Sequence, residues 1–316
     1  MPDPARGFHE IRPTVSVVTP VYNGSKYLAG TIESILGQTF ADFEFVLLDD
    51  GSTDDSLAIL HHYASRDSRI RVISRENRGL GRTQHELVLH ANGEFIAQLD
   101  HDDIALPTRL HRQVDFLRNN EDVAVVGSAY QMIDSANRYL TTLTAPQADE
   151  EIQQLMLGGH CAIAHSGAMM RRTQILTVGN YDESFNMAAD LDIFLRLGEI
   201  GKLANLTEAL TKYRLHEKSV SEKVGHLQRE EARRACEGAW RRRKIEGKFS
   251  ASHLWRPGTD RDSRHAFMLK YGWWAWNSSE RSTARFYGWK ALKAKPLSMD
   301  AWKLLIVSMT KPFEKD

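Results

Sequence analysis

Three carboxylates stand within four residues at the end of an apolar run, Glu94-Phe-Ile-Ala-Gln-Leu-Asp100-His101-Asp102-Asp103. So close a set repels itself unless a cation lies among its members. Carboxylate oxygens are hard ligands suited to Mg²⁺ or Mn²⁺, ions that keep several waters and bind through one or two carboxylates together with the phosphates of a substrate. The implied ligand is therefore a nucleoside diphosphate. An acidic turn ahead of a helix starting near Pro107 and Thr108 would use the same residues, and for an isolated Asp-rich turn that is the simpler explanation. The surrounding elements favour the metal.

Those elements begin with Thr14-Val-Ser-Val-Val-Thr-Pro20, which reads as a buried strand, and Val21-Tyr22-Asn23-Gly24, a turn before a helix over roughly 26–37. A second apolar strand, Phe43 to Leu48, runs into Asp49-Asp50-Gly51-Ser52-Thr53-Asp54. A third strand near 71–74, a helix near 81–92 and the strand of the acidic cluster complete the unit. Strands alternating with helices imply right-handed crossovers and a mostly parallel α/β sheet. Ligands bind such sheets outside the carboxyl ends of the strands, where Tyr22, Asp50 and Asp102 all fall.

Over about 1–222 the chain resembles the family 2 glycosyltransferases, which have the GT-A nucleotide-sugar-binding fold. The matching pieces are Ser16-Val-Val-Thr-Pro-Val-Tyr-Asn23, Gln38-Thr-Phe40, Asp49-Asp-Gly-Ser-Thr-Asp54, Asn77-Arg-Gly79, the Asp100–Asp103 cluster, His165-Ser-Gly-Ala-Met-Met-Arg-Arg172, Asp190-Leu-Asp-Ile-Phe-Leu-Arg-Leu197 and Tyr213-Arg-Leu-His216-Glu-Lys-Ser-Val-Ser221. Each alone is weak, but their order makes a chance match very improbable. Two positions depart from the family pattern. Thr83-Gln84-His85 stands where Ala-Arg-Asn is common, and Ala189 where Glu commonly precedes the Asp. Both lie by the family's sugar site, so they bear on donor and acceptor preference.

Moving a sugar from a nucleoside diphosphate requires positive charge at the leaving oxygen and a base for the acceptor hydroxyl. Asp102 is the candidate direct ligand of the divalent metal, Mn²⁺ or Mg²⁺. The resemblance implies that Asp100 serves the ribose or a metal-bound water and that His216 supplies a further metal contact, although a lone His is more often packed or solvated. Asp103 is either a ligand or a helix cap. Asp190 is the candidate general base by resemblance. It stands before an amphipathic stretch whose Ile193, Phe194 and Leu197 share one face, and its simpler role there is N-cap. A helix amino terminus stabilises the carboxylate, so that place alone would not raise its basicity. One base opposite a metal-held leaving group predicts direct displacement with inversion.

For the nucleotide, the resemblance implies contacts from Pro20, Tyr22 and Asp50, with Asp50 reading the ring edge of uracil and hence a UDP-sugar as the expected donor. Arg82, after Gly79-Leu-Gly81, is placed to reach the base or the diphosphate, or to stand as a solvated helix charge. Tyr22 could equally pack in the core, and Asp50 could serve the turn before Gly51. Other nucleotide-binding folds lack their marks. The first strand is followed by Pro-Val-Tyr-Asn-Gly rather than Gly-x-Gly-x-x-Gly, and no Gly-x-x-x-x-Gly-Lys-Ser/Thr loop occurs. The oxygen-rich cluster does not suit zinc hydrolysis, and two glycosidase carboxylates with a covalent intermediate are not required.

The chain of 316 residues carries no net charge, but its two parts differ. Residues 1–222 hold 20 basic and 31 acidic side chains and residues 223–316 hold 21 and 10, so the balances are −11 and +11. All seven tryptophans lie in the basic part. The division implies a catalytic domain over 1–222 and a basic, Trp-rich, α-helical appendage over 223–316. In the appendage Ala232, Ala235, Cys236, Ala239 and Trp240 form one helical stripe, and helices near 279–294 and 299–310 flank Lys295-Pro-Leu-Ser298 as a tetratricopeptide-like hairpin. Two cysteines, Cys161 and Cys236, fit a reducing cytoplasm. Residues 1–13 lack the apolar core of a signal peptide, and no run nears the about 18 apolar residues that span a bilayer.

Basic helices with tryptophan suit peripheral contact with an anionic membrane, here the inner face of the cell membrane. Packing as a small core, or attraction to the acidic domain, would use the same residues. Nucleic acid is not an expected partner, since no recognised module accompanies the charge. The expected activity is an inverting, metal-dependent transferase acting on a glycan or lipid-linked acceptor in surface polysaccharide or glycolipid synthesis. Alternatives are a non-catalytic nucleotide- or glycan-binding scaffold of the same fold and a nucleotide-sugar hydrolase using water as acceptor.

Overall fold

The computed structural model describes residues 12–216, 225–251 and 260–310. The charge boundary near 222, the end of the motif that starts at Tyr213, and Trp255 lie outside the described residues. Strands β1 (Val15–Val21), β2 (Phe43–Asp50), β3 (Ile70–Arg75) and β4 (Phe95–Gln98) pair in parallel in the order β3-β2-β1-β4. Helices α1 (Ser25–Leu36), α2 (Ser56–Ala64) and α3 (Leu80–His90) cross between them. Strands β1, β2 and β4 are buried along their whole length, which is why they read as continuous apolar runs rather than as alternating ones.

The chain continues through β5 (Ile104–Ala105), α4 (Arg109–Asn119), β6 (Val123–Asp134), β7 (Tyr139–Leu143), α5 (Asp149–Leu157), β8 (Met169–Arg171), α6 (Arg172–Thr177), α7 (Ala189–Leu197) and β9 (Lys202–Leu215). The sheet extends as β4-β8-β6-β9-β5, with β7 on β6. The β4–β8, β8–β6, β6–β7 and β9–β5 pairings are antiparallel, but the long β6–β9 ladder is parallel, so most paired residues lie in parallel ladders. The stretch 128–165 is largely regular. It holds the end of β6, then β7 and α5.

Two apolar layers sandwich the sheet, and the strand period assigns residues to them. Phe43, Phe45 and Leu47 face α1, α2 and α4, while Val46 and Leu48 face the side of α3, α5 and α7. The carboxylate of Glu44 fastens the entry to β4. It accepts from Ser16 Oγ (2.6 Å), the Asn92 N–H (2.6 Å) and Arg71 Nη1 (2.7 Å).

The basic part divides structurally. Helix α8 (Gly225–Arg243) sends Ala232, Ala235, Cys236 and Ala239 into the same buried layer as α5 and α7. The core thus crosses the boundary that charge marks. Its cations meet the acidic domain, as Arg242 Nε does Glu199 at 2.9 Å. Helices α9 (Arg261–Asn277), α10 (Arg281–Ala294) and α11 (Met299–Thr310) form a second unit, in which α10 and α11 pack on α9. Tyr287 on α10 joins this unit to β6 and β7 by packing with Met132 and Leu140 and by donating to Asp134 Oδ2 at 3.0 Å. No helix of the described residues is long and apolar enough to cross a membrane.

Candidate active site

The acidic cluster lies just past β4, where the parallel strands end. Ligand atoms of Asp100, Asp102 and Asp103 fall within 4.8 Å of one another. Burial, reinforced by the negative charge of Asp102, pushes the Asp100 carboxyl up to about 6. Asp103 is more deeply buried and is raised further by burial and by both neighbours. Its Oδ1 accepts the Arg214 N–H at 2.8 Å, and its Oδ2 is buried with no hydrogen-bond partner in good geometry among the described residues. Thr108, not Asp103, takes the N-cap position of α4, so the helix-cap alternative for Asp103 is not what the structure has.

His216, just past β9, brings Nε2 to 2.6 Å from Asp102 Oδ2. The β9 register against β5 and β6 carries the strand's end to the cluster. The imidazole is held from behind by the Tyr27 ring, whose centroid is 5.0 Å away. Arg214 braces the same corner. Its Nε donates to the Asp102 carbonyl at 2.6 Å, Nη1 donates to Asn137 Oδ1 at 2.5 Å, and its guanidinium lies 4.4 Å from the Tyr27 ring centroid. On the β1 side the turn must stay bare, since a Cβ on Gly24 would collide with the His101 ring.

Beneath the cluster lies Arg109, wholly buried. It hydrogen-bonds to the Gln98 carbonyl (2.6 Å), the Ala168 carbonyl (3.3 Å) and Gln113 Oε1 (3.1 Å). Burial pulls its guanidinium down to about 10 against the attraction of Asp103 and Asp100. Arg109 thus offsets part of the negative charge from below and gives no hydrogen bond to the carboxylates. Three clustered carboxylates, of which Asp100 and Asp103 are pushed up by burial and by the neighbouring charge, and one buried carboxylate oxygen of Asp103 fit a hard divalent cation held by Asp102 with its neighbours, with His216 in reach of the same point.

Asp190 occupies the second position of α7, and the N-cap is Ala188, so the simple capping role considered for Asp190 is not the observed one. It lies near enough to Asp100 to help raise that carboxyl. Its Oδ1 accepts from the Leu191 N–H at 2.8 Å, and Oδ2 is 3.8 Å from Cys161 Sγ. Asp192, two residues on in α7, is instead bound to Arg196 at 2.5 Å. The loop ahead of α7 is fastened from α8, where Glu231 Oε2 accepts the N–H groups of Asn186 (3.0 Å), Met187 (2.6 Å) and Ala188 (3.0 Å).

On the nucleotide side, Pro20 is buried within β1 and Tyr22 just beyond it is 48% exposed. Asp50 ends β2 buried and bound to Arg75. It also accepts the Arg78 N–H (2.8 Å) on Oδ1 and the Gly79 N–H (3.0 Å) on Oδ2. It therefore orders the 76–79 turn, where Gly79 has φ 89°. Arg82 faces out and pairs with Glu86 (3.0 Å) and Glu183 (3.1 Å). The structure thus brings Asp100, Asp102, Asp103, Asp190 and His216 together and sets Asp50 and Arg82 in pairs of their own. Arg109, Arg214, Tyr27 and Glu231 were not picked out from sequence. Arg214 sits inside the Tyr213–His216 motif, whereas Glu231 had no signal beyond its place in a helix.

This α/β sheet, with an acidic cluster beyond a central strand, is the arrangement of a nucleotide-sugar transferase. The description of Glycosyl transferase family 2 matches residues 16–178, and the chain belongs to that family and is a glycosyltransferase. Chondroitin synthase of Escherichia coli is 32% identical over 220 residues, which is 69% of this chain and 31% of the synthase; the chain thus spans about a third of that relative. The O-antigen biosynthesis glycosyltransferase WbnJ of Escherichia coli is 32% identical over 209 residues, 65% of this chain and 81% of WbnJ. Among solved structures, S. aureus TarS 1-349 in complex with UDP-GlcNAc aligns with TM-score 0.56 at 16% identity, covering 93% of this chain and 79% of that one. The mannosyltransferase PcManGT from Pyrobaculum calidifontis, in complex with GDP-Man and Mn²⁺, aligns with TM-score 0.53 at 16% identity, covering 95% and 80%. At that identity the two structures speak for the GT-A-like fold alone.

Proposed function

We propose that the chain is an inverting, divalent-metal-dependent transferase that moves a sugar from UDP to an acceptor hydroxyl in polysaccharide or glycolipid synthesis. The observation that carries this reading is the convergence of Asp100, Asp102 and His216 from one side and Asp190 from the other on a single cleft at the carboxyl ends of β4 and β9. TarS and PcManGT, solved with UDP-GlcNAc and with GDP-Man and Mn²⁺, support the donor class and the cation.

In this reading Asp102 and His216 would hold the cation, Mn²⁺ or Mg²⁺. Asp100 serves the ribose or a water on the ion. When bound, the divalent ion supplies neutralisation of the departing diphosphate. Asp190 takes the proton from the acceptor hydroxyl as the acceptor oxygen bonds the anomeric carbon and the bond from that carbon to the diphosphate oxygen breaks. No protein nucleophile enters, so configuration inverts.

Pro20, Tyr22 and Asp50 flank the base and ribose. Among the described residues Asp50 Oδ2 accepts one hydrogen bond, from Gly79, which leaves a lone pair for a uracil N–H. Arg82 serves the diphosphate by exchanging its Glu183 partner. The acceptor is a glycan or a lipid-linked glycan, reached from the cytoplasmic side. Residues 1–222 are assigned the catalysis, and α8 supports them from the carboxyl-terminal part.

A thermal-shift panel of UDP, GDP, dTDP and CDP, each with and without Mn²⁺, tests the reading, because a ligand of the native state raises the melting temperature. A shift for UDP that needs Mn²⁺ is expected. A folded protein indifferent to all four nucleotides contradicts it.

A further inference from the structure

Trp289, Leu297, Met299, Trp302, Ile306 and Met309 are large apolar side chains exposed on α10, α11 and the turn between them. Leu297 and Met299, at 95% and 85% exposure, project from the turn almost fully. Met299, Trp302, Ile306 and Met309 recur at helical spacing and so form one stripe along α11, opposite the buried Ala301, Leu304 and Ser308. On α10 the exposed stripe is Arg285, Trp289 and Lys293, opposite the buried Ala284, Tyr287 and Ala291.

The two stripes belong to one surface. Both helices turn their buried sides onto α9, where Ala275 packs with Ala284 and Leu304 and where a Cβ on Gly272 would collide with Leu304. Their outer sides therefore look away from α9 together, and Arg285 Nη2 reaches across to the Ser308 carbonyl at 3.3 Å. Lys293 and Lys303 are exposed at its border. Singly exposed apolar residues need no explanation, whereas a contiguous apolar stripe edged by cations and tryptophan marks a contact surface.

We propose that this face docks the enzyme onto an anionic lipid surface. Trp289, Trp302 and Ile306 sit at headgroup depth, and Lys293 and Lys303 meet acidic headgroups. The proposal rests on the reading above and takes the lipid-linked one of the two acceptors named there. The charges favour lipid over a second copy, because a two-fold pairing through this face would set the same cations against each other. The docked face is also fixed relative to the catalytic cleft. Tyr287 on α10 donates to Asp134, whose carbonyl accepts from Arg214 Nη1 at 3.2 Å, and Arg214 holds the Asp102 carbonyl.

The test is co-sedimentation of the full chain with phosphatidylcholine vesicles, with and without phosphatidylglycerol, for wild type, Ile306→Glu/Met309→Glu and Lys293→Glu/Lys303→Glu. The substituted side chains are exposed, and the nucleotide thermal shift serves as the folding control. Wild type should sediment with the anionic vesicles only, and each double variant should lose about tenfold or more of that binding while keeping the nucleotide shift. Absent binding by wild type, binding that does not depend on phosphatidylglycerol, or unchanged binding by the variants overturns the docking face and leaves the catalytic reading intact. Self-association by sedimentation equilibrium that Ile306→Glu/Met309→Glu abolishes would assign the face to a second copy and likewise overturn the proposal.

Discussion

Glu231 on α8 and Asp190 on α7 are linked through three backbone amides. The Glu231 carboxylate gathers the N–H groups of Asn186, Met187 and Ala188 immediately before the helix on which Asp190 stands. A buried carboxylate with three such donors fixes the entry of α7 and, through it, the position of the proposed base. The basic carboxyl-terminal part thus contributes to the architecture of the cleft and not only to its surroundings.

Glu231→Gln is expected to cost about 1–3 kcal/mol of stability, since it weakens charge-assisted bonds in a buried place. Because a small displacement of a catalytic group can cost up to about a hundredfold in rate, kcat should fall by about ten- to a hundredfold while the KM for the nucleotide donor stays near wild type. A parallel rise in KM would instead mean that Glu231 acts on the whole fold.

Asp190→Asn should leave nucleotide and Mn²⁺ binding unchanged and lower transfer by about 10²- to 10⁴-fold, the usual contribution of a positioned general base. Steady-state assay of UDP release with acceptor present reads this directly. Turnover near the wild-type rate would remove Asp190 from the mechanism.

Glu44 offers a pH test remote from the cleft. Burial would raise its carboxyl, but bonds from Ser16, the Asn92 N–H and Arg71 outweigh burial and hold it below the usual range. An acid whose folded pKa is depressed adds stability that is complete above its unfolded value and disappears as pH falls through the folded one. Glu44→Gln should therefore lower the melting temperature at neutral pH, and the gap to wild type should close on the acid side, below the ordinary glutamate range. A gap independent of pH would show that the loss is one of packing.

Much of the catalytic half was legible because its signals are local. The runs at Val15–Val21 and Phe43–Asp50 read as buried strands since both faces are covered, and the Asp100–Asp103 cluster stands out by residue type and spacing as a group that could hold a metal ion. Strand β6 and most of β9 were not read, because their pairing is with each other across about 80 residues and nothing local announces it. Helix α9 was missed for a different reason. It lies between β7, α10 and α11, so its apolar residues occupy several sides and show no single stripe. Glu231 and Arg109 act through backbone groups far along the chain, those of residues 186–188 and of Ala168, contacts that no motif encodes. The tryptophans divided. Trp273 and Trp276 pack within the helical unit, as a small core requires, while Trp289 and Trp302 face outward.

The most direct test of the central claim is calorimetric titration of UDP into wild type and Asp102→Asn at matched Mn²⁺ concentrations. The account predicts that wild type binds UDP more tightly as Mn²⁺ is raised, and that Asp102→Asn keeps its fold but loses most of this metal-dependent gain. Equal Mn²⁺ dependence in both proteins, or tight UDP binding by wild type that ignores Mn²⁺, would contradict it.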